Sequence, residues 1–264
     1  MTNIVDTMHA LGFRASEEQL RALLTNLSKE SASPMQVCEA LCRLERHERE
    51  ARNLASRAKK ARIGEVKPAA DYDWAYPNEA NEDAYQDLLT LGFVERKQNL
   101  LFRGPAGVGK TMLAKNLGIK ALEAGMTVVF TNLSSALADL LRQESLPAVE
   151  RRLRRYTSVG LLICDELGYQ PIDPRAVDLL FQIISRRHES HASTIITTNL
   201  SFKDWANVFP GAACLVPLVD RFTENLIVFD IHGASYRQRP KGSGPGPTRP
   251  APAAAKPKKK RRAA

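Results

Sequence analysis

No run of eighteen apolar residues occurs in this chain of 264, so a membrane-spanning helix is not expected. The opening MTNIVDTMHALGF carries Asp6 and His9 and lacks the basic-then-apolar order of an export signal, so the chain is expected to stay in the cytoplasm. Cysteine is sparse. Cys38, Cys42, Cys164 and Cys214 contain no C-x-x-C pair and are too few for a disulfide scaffold, which fits a reducing compartment. Cys38 and Cys42 stand at i and i+4, a spacing that could clip a metal, but no matching His or Cys pair follows and they are expected as small core residues. No internal repeat is visible.

What is present is an ordinary globular composition, 44% hydrophobic and 25% charged, so wholesale disorder is excluded and a packed core is expected. The net charge of +9 is unevenly placed: residues 241–264 hold eight Lys or Arg and no acid, which leaves +1 for residues 1–240. Within that body, residues 43–67 hold nine Lys or Arg against four Glu, and Arg151, Arg152, Arg154 and Arg155 sit in one short stretch. These are candidate polyanion-binding faces, although Arg151 to Arg155 equally fits a solvated helix face.

Residues 1–63 read as a small all-α N-terminal domain, with apolar positions at three and four spacing. Ser16-Glu17-Glu18-Gln19 fits a capping box, and Ser33-Pro34-Met35-Gln36 places proline at a first helical position. Residues 64–81, with Pro68, Pro77, Tyr72, Trp74 and Tyr76, read as a linker that docks. From 82 to 240 short apolar runs at 99–103, 126–131, 160–164, 194–198 and 226–230 alternate with helical stretches at 109–124, 133–143, 174–190 and 213–222. That alternation predicts an α/β fold with a five-stranded, mainly parallel sheet covered on both faces. The proline-, glycine- and lysine-rich segment 241–264 is expected to be disordered.

Gly104-Pro105-Ala106-Gly107-Val108-Gly109-Lys110-Thr111 matches G-x-x-x-x-G-K-[ST] between an apolar run and a helical pattern, the context that motif requires. Glycines let backbone N–H groups wrap phosphate oxygens, Lys110 reaches the β and γ phosphates, Thr111 ligates Mg²⁺, and Met112 continues the cradle into the helix. Leu161-Leu162-Ile163-Cys164-Asp165-Glu166 looks like a Walker B element. Asp165, at the end of a neighbouring parallel strand, would hold the Mg²⁺ hydration shell while Glu166 polarises the attacking water. Asn199 ends the strand 194–198, where it could orient that water or cap the segment from Ser201. Arg221 and Arg237 could each neutralise transition-state charge, or be solvated or salt-bridged arginines.

The order GPAGVGKT, LLICDELGY, TIITTN, VDRF and HGASYR resembles AAA+ ATPases, and more narrowly the IstB-type helper ATPases of bacterial insertion sequences, relatives of the DnaC helicase loaders. The resemblance covers residues 71 to 238, with ICDELGYQPID, LLFQIISRRHES and GASYR its specific parts. It implies a P-loop AAA+ domain in which Asn199 resembles sensor 1, Arg221 the finger entering a neighbour's site, and Arg237 sensor 2. It also implies a bacterial homo-oligomer with ATP sites at subunit interfaces, which binds double-stranded DNA and recruits and stimulates a transposase. A replicative helicase loader shares all of these ATPase parts; a small-molecule kinase gains little from a water-activating Glu166.

The expected DNA surface lies on the long helix from Ser33. At 100° per residue Val37, Leu41, Leu44, Ala51, Ala55 and Ala58 share an apolar stripe, while Arg46, Arg49, Arg57 and Lys60 share the opposite, basic one. A basic stripe that follows phosphates gives binding largely independent of sequence; a charged face balanced by Glu45, Glu48 and Glu50 does not bind.

Overall fold

The computed structural model describes residues 4–74, 80–168, 173–209 and 212–236. The basic tail 241–264, Arg237, and Tyr76 and Pro77 of the linker lie outside these described residues. No described helix is long and apolar enough to cross a membrane.

Helices α1 (Ile4–Ala10), α2 (Glu17–Lys29) and α3 (Pro34–Ala61) come first. Both capping boxes form: Ser16 with Gln19, and Ser33 with Gln36, each exchange side-chain and backbone hydrogen bonds. Val5, Ala15 and Leu20 make a small core with Met8, Leu41 and Leu44. Beside it Glu45 is buried, accepting from the backbone N–H of Arg14 at 2.6 Å and of Ala15 at 3.2 Å, and from Arg49 Nε at 2.6 Å. Burial pushes the Glu45 carboxyl up, but the three donors more than offset it and hold the group below the ordinary carboxylate range.

The expected faces of α3 hold for only part of its length. Leu41 and Leu44 face the front core, whereas Ala51, Ala55 and Ala58 are exposed, and the last turns bring Leu54 and Ala61 against the following domain. The helix has neighbours on different sides at its two ends, so no single apolar stripe serves both. Cys38 and Cys42, expected in the core, are exposed, because Leu41 and Leu44 occupy the inward side at that level. Of the basic stripe, Arg46, Arg49 and Lys60 are exposed. Arg49 nevertheless pairs with Glu45 and donates to the carbonyl of Gly12, and half-buried Arg57 donates to the carbonyl of Leu122 at 3.2 Å.

Helices α4 (Glu82–Leu89) and α5 (Gly92–Glu95) lead into strands β1 (Asn99–Arg103), β2 (Val128–Asn132), β3 (Leu161–Leu167), β4 (Ser193–Thr198) and β5 (Leu226–Asp230). Helix α6 (Lys110–Glu123) joins β1 to β2, and α7 (Leu133–Leu141) and α8 (Leu146–Thr157) join β2 to β3. Helix α9 (Pro174–Glu189) precedes β4, and α10 (Trp205–Val208) and α11 (Leu215–Thr223) precede β5. Helix α8 carries the cluster Arg151 to Arg155, for which a helix face is one of the two readings.

All neighbouring strands are parallel, in the order β2-β3-β4-β1-β5. The strand carrying Asp165 is therefore not the neighbour of the phosphate-loop strand, as the sequence suggested; β4 lies between them. Strands β1, β3 and β4 are buried along nearly their whole length, which is why they read as continuous apolar runs. On one face Leu113, Leu117 and Ala121 of α6 pack with Phe102, Ile163 and Ile195. On the other, Leu137, Leu153, Val177, Leu180, Leu218 and Phe222 from α7, α8, α9 and α11 pack with Leu162 and Ile196. Each such buried side chain contributes roughly 1.5–3 kcal/mol of transfer free energy.

The described part of the segment after α3, residues 62–74, is docked on α6. Asn116 accepts from Ala69 N–H at 3.0 Å and donates to the Lys67 carbonyl at 2.9 Å, and Ile63 and Tyr72 are buried.

Candidate nucleotide site

The phosphate loop spans the gap between β1 and α6, and its glycines answer to specific crowding. A Cβ on Gly104, at φ 156°, would lie 2.2 Å from the Ile231 carbonyl oxygen, and one on Gly109, at φ 94°, would lie 2.5 Å from the Tyr72 ring. Only glycine permits both the backbone angles and the approach. The loop is fixed from outside as well: Tyr72 donates its hydroxyl proton to the Val108 carbonyl at 2.8 Å, and Gly107 accepts from Tyr236 N–H at 3.1 Å. Burial, with a smaller contribution from Asp73, pushes the Tyr72 phenol up to about 12, which keeps it a donor. Below Gly104, Arg103 and Asp230 form a two-pronged ion pair at 2.6 and 2.7 Å that holds the Asp230 carboxyl below its usual range.

Lys110 and Thr111 begin α6. Lys110 Nζ donates to the carbonyls of Gly104 and Pro105, each at 2.7 Å, so the ammonium lies over the loop. Thr111 Oγ1 approaches the two carboxylate oxygens of Asp165 at 2.9 and 3.1 Å. Asp165 is buried and also accepts from the Thr197 hydroxyl on β4 at 2.5 Å, while that hydroxyl accepts from Glu166 N–H at 3.0 Å. Thr197 thus ties the two carboxylate residues to the intervening strand.

Glu166 has φ 61°, the left-handed region, where the register of β3 against β4 slips. A non-glycine residue there is uncommon and is held by its surroundings. The slip separates the two acidic side chains: Asp165 is buried towards Thr111, and Glu166 is exposed, accepting from Asn132 Nδ2 at 2.7 Å. Asn132 ends β2 in register with Asp165, and its Oδ1 caps α7 through Ser135 N–H.

These groups border a cavity of about 590 Å³, within the range of small-molecule sites. Ala106 to Met112, Glu166, Thr197 and Asn199 line one side, and Val66, Lys67, Asp71 to Asp73 and Tyr236 the other. Lys110, Thr111, Glu166 and Asn199, four of the residues singled out from sequence, meet here, with Asp165 directly behind Thr111. Arg221 does not: it lies on α11, with its guanidinium 4.7 Å from the Phe181 ring centre on α9. Sequence reasoning missed Tyr72, Asn132 and Thr197. Asn132 had a readable signal, since it is a polar residue that closes a strand and opens a helix; Tyr72 and Thr197 act through contacts distant in sequence.

Residues 7–243 match the model of the IstB-like ATP binding protein family. The chain belongs to that family. The protein named for ATP binding in insertion sequence IS5376 of Geobacillus stearothermophilus is 32% identical over 233 residues, which are 88% of this chain and 92% of that one. The corresponding IS21 protein of Pseudomonas aeruginosa is 36% identical over 78% of this chain and 77% of its own. Among solved structures, DnaI superposes with a TM-score of 0.52 at 17% identity, covering 67% of this chain and 92% of DnaI. A Streptococcus pyogenes serotype M3 protein described as a primosome component gives 0.50 at 21%, covering 64% and 87%. The chain shares with these two structures the P-loop AAA+ fold, and as an IstB-like chain it belongs with the ATP-binding proteins whose relatives are named for insertion sequences.

Proposed function

We propose that this IstB-like chain is an ATPase that assembles on double-stranded DNA and recruits and stimulates a partner transposase. The observation that carries the catalytic part is the convergence of the phosphate loop, Glu166 and Asn199 on one cavity from three separate segments, with Asp165 behind Thr111. The loop Gly104 to Met112 binds the phosphates through the backbone N–H groups of Ala106 to Met112 and through Lys110. A hard divalent cation, Mg²⁺, suits the oxygen donors that Thr111 and Asp165 bring together; when bound it supplies charge neutralisation between the β and γ phosphates. Glu166 accepts the proton of the water that attacks the γ-phosphorus, Asn199 orients that water, and ADP leaves.

Arg221 lies away from its own chain's cavity, which supports a role in the site of a second copy, so that ATP sites are completed at subunit interfaces. Arg237 serves as the second sensing arginine, next to Tyr236 of the cavity wall. For DNA, the exposed Arg46 and Lys60 are the strongest of the proposed contacts on α3, with Arg49 and Arg57 beside them. Two relatives named for ATP binding in insertion sequences, each at least 32% identical over three quarters of this chain, support the transposase as partner. The test is retention on DNA of the transposase from the adjacent reading frame, or of the replicative helicase, by the ATP-loaded protein. Transposase retained only with ATP is expected; retention of the helicase instead would make the protein a loader.

A further inference from the structure

Among the described residues, several arginines of α8 and α9 are held by carboxylates, and Arg221 is not. Arg152, Arg154, Arg175 and Arg186 each pair with a carboxylate, on Asp139, Glu150, Asp173 and again Glu150. Arg221 has no ion pair among the described residues, and its Nη1 is buried without a hydrogen-bond partner there. What holds the guanidinium is the face of Phe181. That ring sits on the side of α9 turned to α11, where Asp178 bonds Cys214 and, further along, His188 pairs with Glu224.

A finger arginine has two requirements that conflict. Its side chain must be held in place, yet its charge must stay uncompensated, because a carboxylate that oriented it would also cancel the charge it brings to the transition state. A ring face meets both, since it attracts the guanidinium through its quadrupole without carrying a charge. We infer that Phe181 is the positioning residue for Arg221, holding its guanidinium ready for the γ-phosphate bound by a neighbouring copy. This rests on the reading of Arg221 as a finger acting between subunits.

The experiment measures ATP affinity and saturated turnover of the full chain in Phe181→Leu, Phe181→Met and Phe181→Tyr, each also combined with Arg221→Ala. A ring contact of this kind is worth a factor of roughly two to thirty, so the two non-aromatic variants should lose about ten-fold in turnover with ATP affinity unchanged. Phe181→Tyr should restore most of the rate, and Phe181→Leu should cost nothing further once Arg221 is alanine. Equal losses in Tyr and Leu, or an undiminished loss in the Arg221→Ala background, would overturn the proposal. So would failure of both non-aromatic variants to fold, which would assign the ring to the core. Wild-type turnover in Arg221→Ala would remove the finger reading itself, whereas a slow Arg221→Ala beside a fully active Phe181→Leu would remove only the role of Phe181.

Discussion

Single residues here do work that their type alone does not announce. By sequence Glu45 is one of several glutamates balancing a basic helix; in the fold it is buried, and it fastens α3 to the Arg14–Ala15 turn through two backbone donors and Arg49. Its carboxyl is held below the usual range, so the stability it contributes is full above the unfolded-state carboxylate pKa, about 4.3, and is lost as pH falls through the lower folded value. Glu45→Gln should therefore destabilise the front helices by roughly 2 kcal/mol at pH 7, the scale of losing buried bonds to a charged acceptor. Thermal melts of the two proteins should converge as pH falls below about 4. A gap that stays constant down to pH 3 would show that the charge of Glu45 is not what stabilises the turn. Gly104, Lys110, Thr111, Asp165 and Glu166 were legible because their chemistry demands those residue types in that order. Thr197 and Glu45 were not, since their roles depend on which distant backbone groups the fold brings to them.

At the scale of elements, strong local rules read correctly and divided loyalties did not. The capping boxes and the continuous apolar strands follow from neighbours a few residues apart, and the starts of α2 and α3 and all five strands lie where the sequence put them to within a few residues. Helix α3 misled because its two ends pack against different units, so a projection along its full length averaged two faces. For the proposed DNA contact this predicts a smaller electrostatic footprint than the four-residue stripe suggested. Arg49 and Arg57 are engaged within the chain, whereas exposed Arg46 pairs with Glu50 at 4.0 Å, an exposed pair worth little. Combining Arg46→Ala with Lys60→Ala should flatten the slope of log affinity against log salt by roughly two, similarly for any duplex sequence. An unchanged slope in that variant, with a collapsed one after deletion of 241–264, would move the DNA surface to the tail.

For the molecule as a whole, the nucleotide cavity is where its parts meet. The segment that follows α3 forms one wall, the phosphate loop and the strand ends form another, and Tyr72 touches both by packing on Gly109 and bonding to Val108. The front helices are thus linked to the nucleotide cavity through a docked segment, which gives nucleotide state a physical route to the proposed DNA contacts on α3. The most direct measurement is ATP affinity and turnover, taken together on DNA, for Glu166→Gln and Lys110→Ala. Glu166→Gln removes the proton acceptor and spares the phosphate cradle, so it should bind ATP as the native chain does, hydrolyse it at least a hundred-fold more slowly, and stay assembled on DNA. Lys110→Ala should lose ATP binding and with it assembly. Equal loss of ATP affinity in both variants, or native turnover in Glu166→Gln, would contradict the assignment of Glu166 as the residue that activates water.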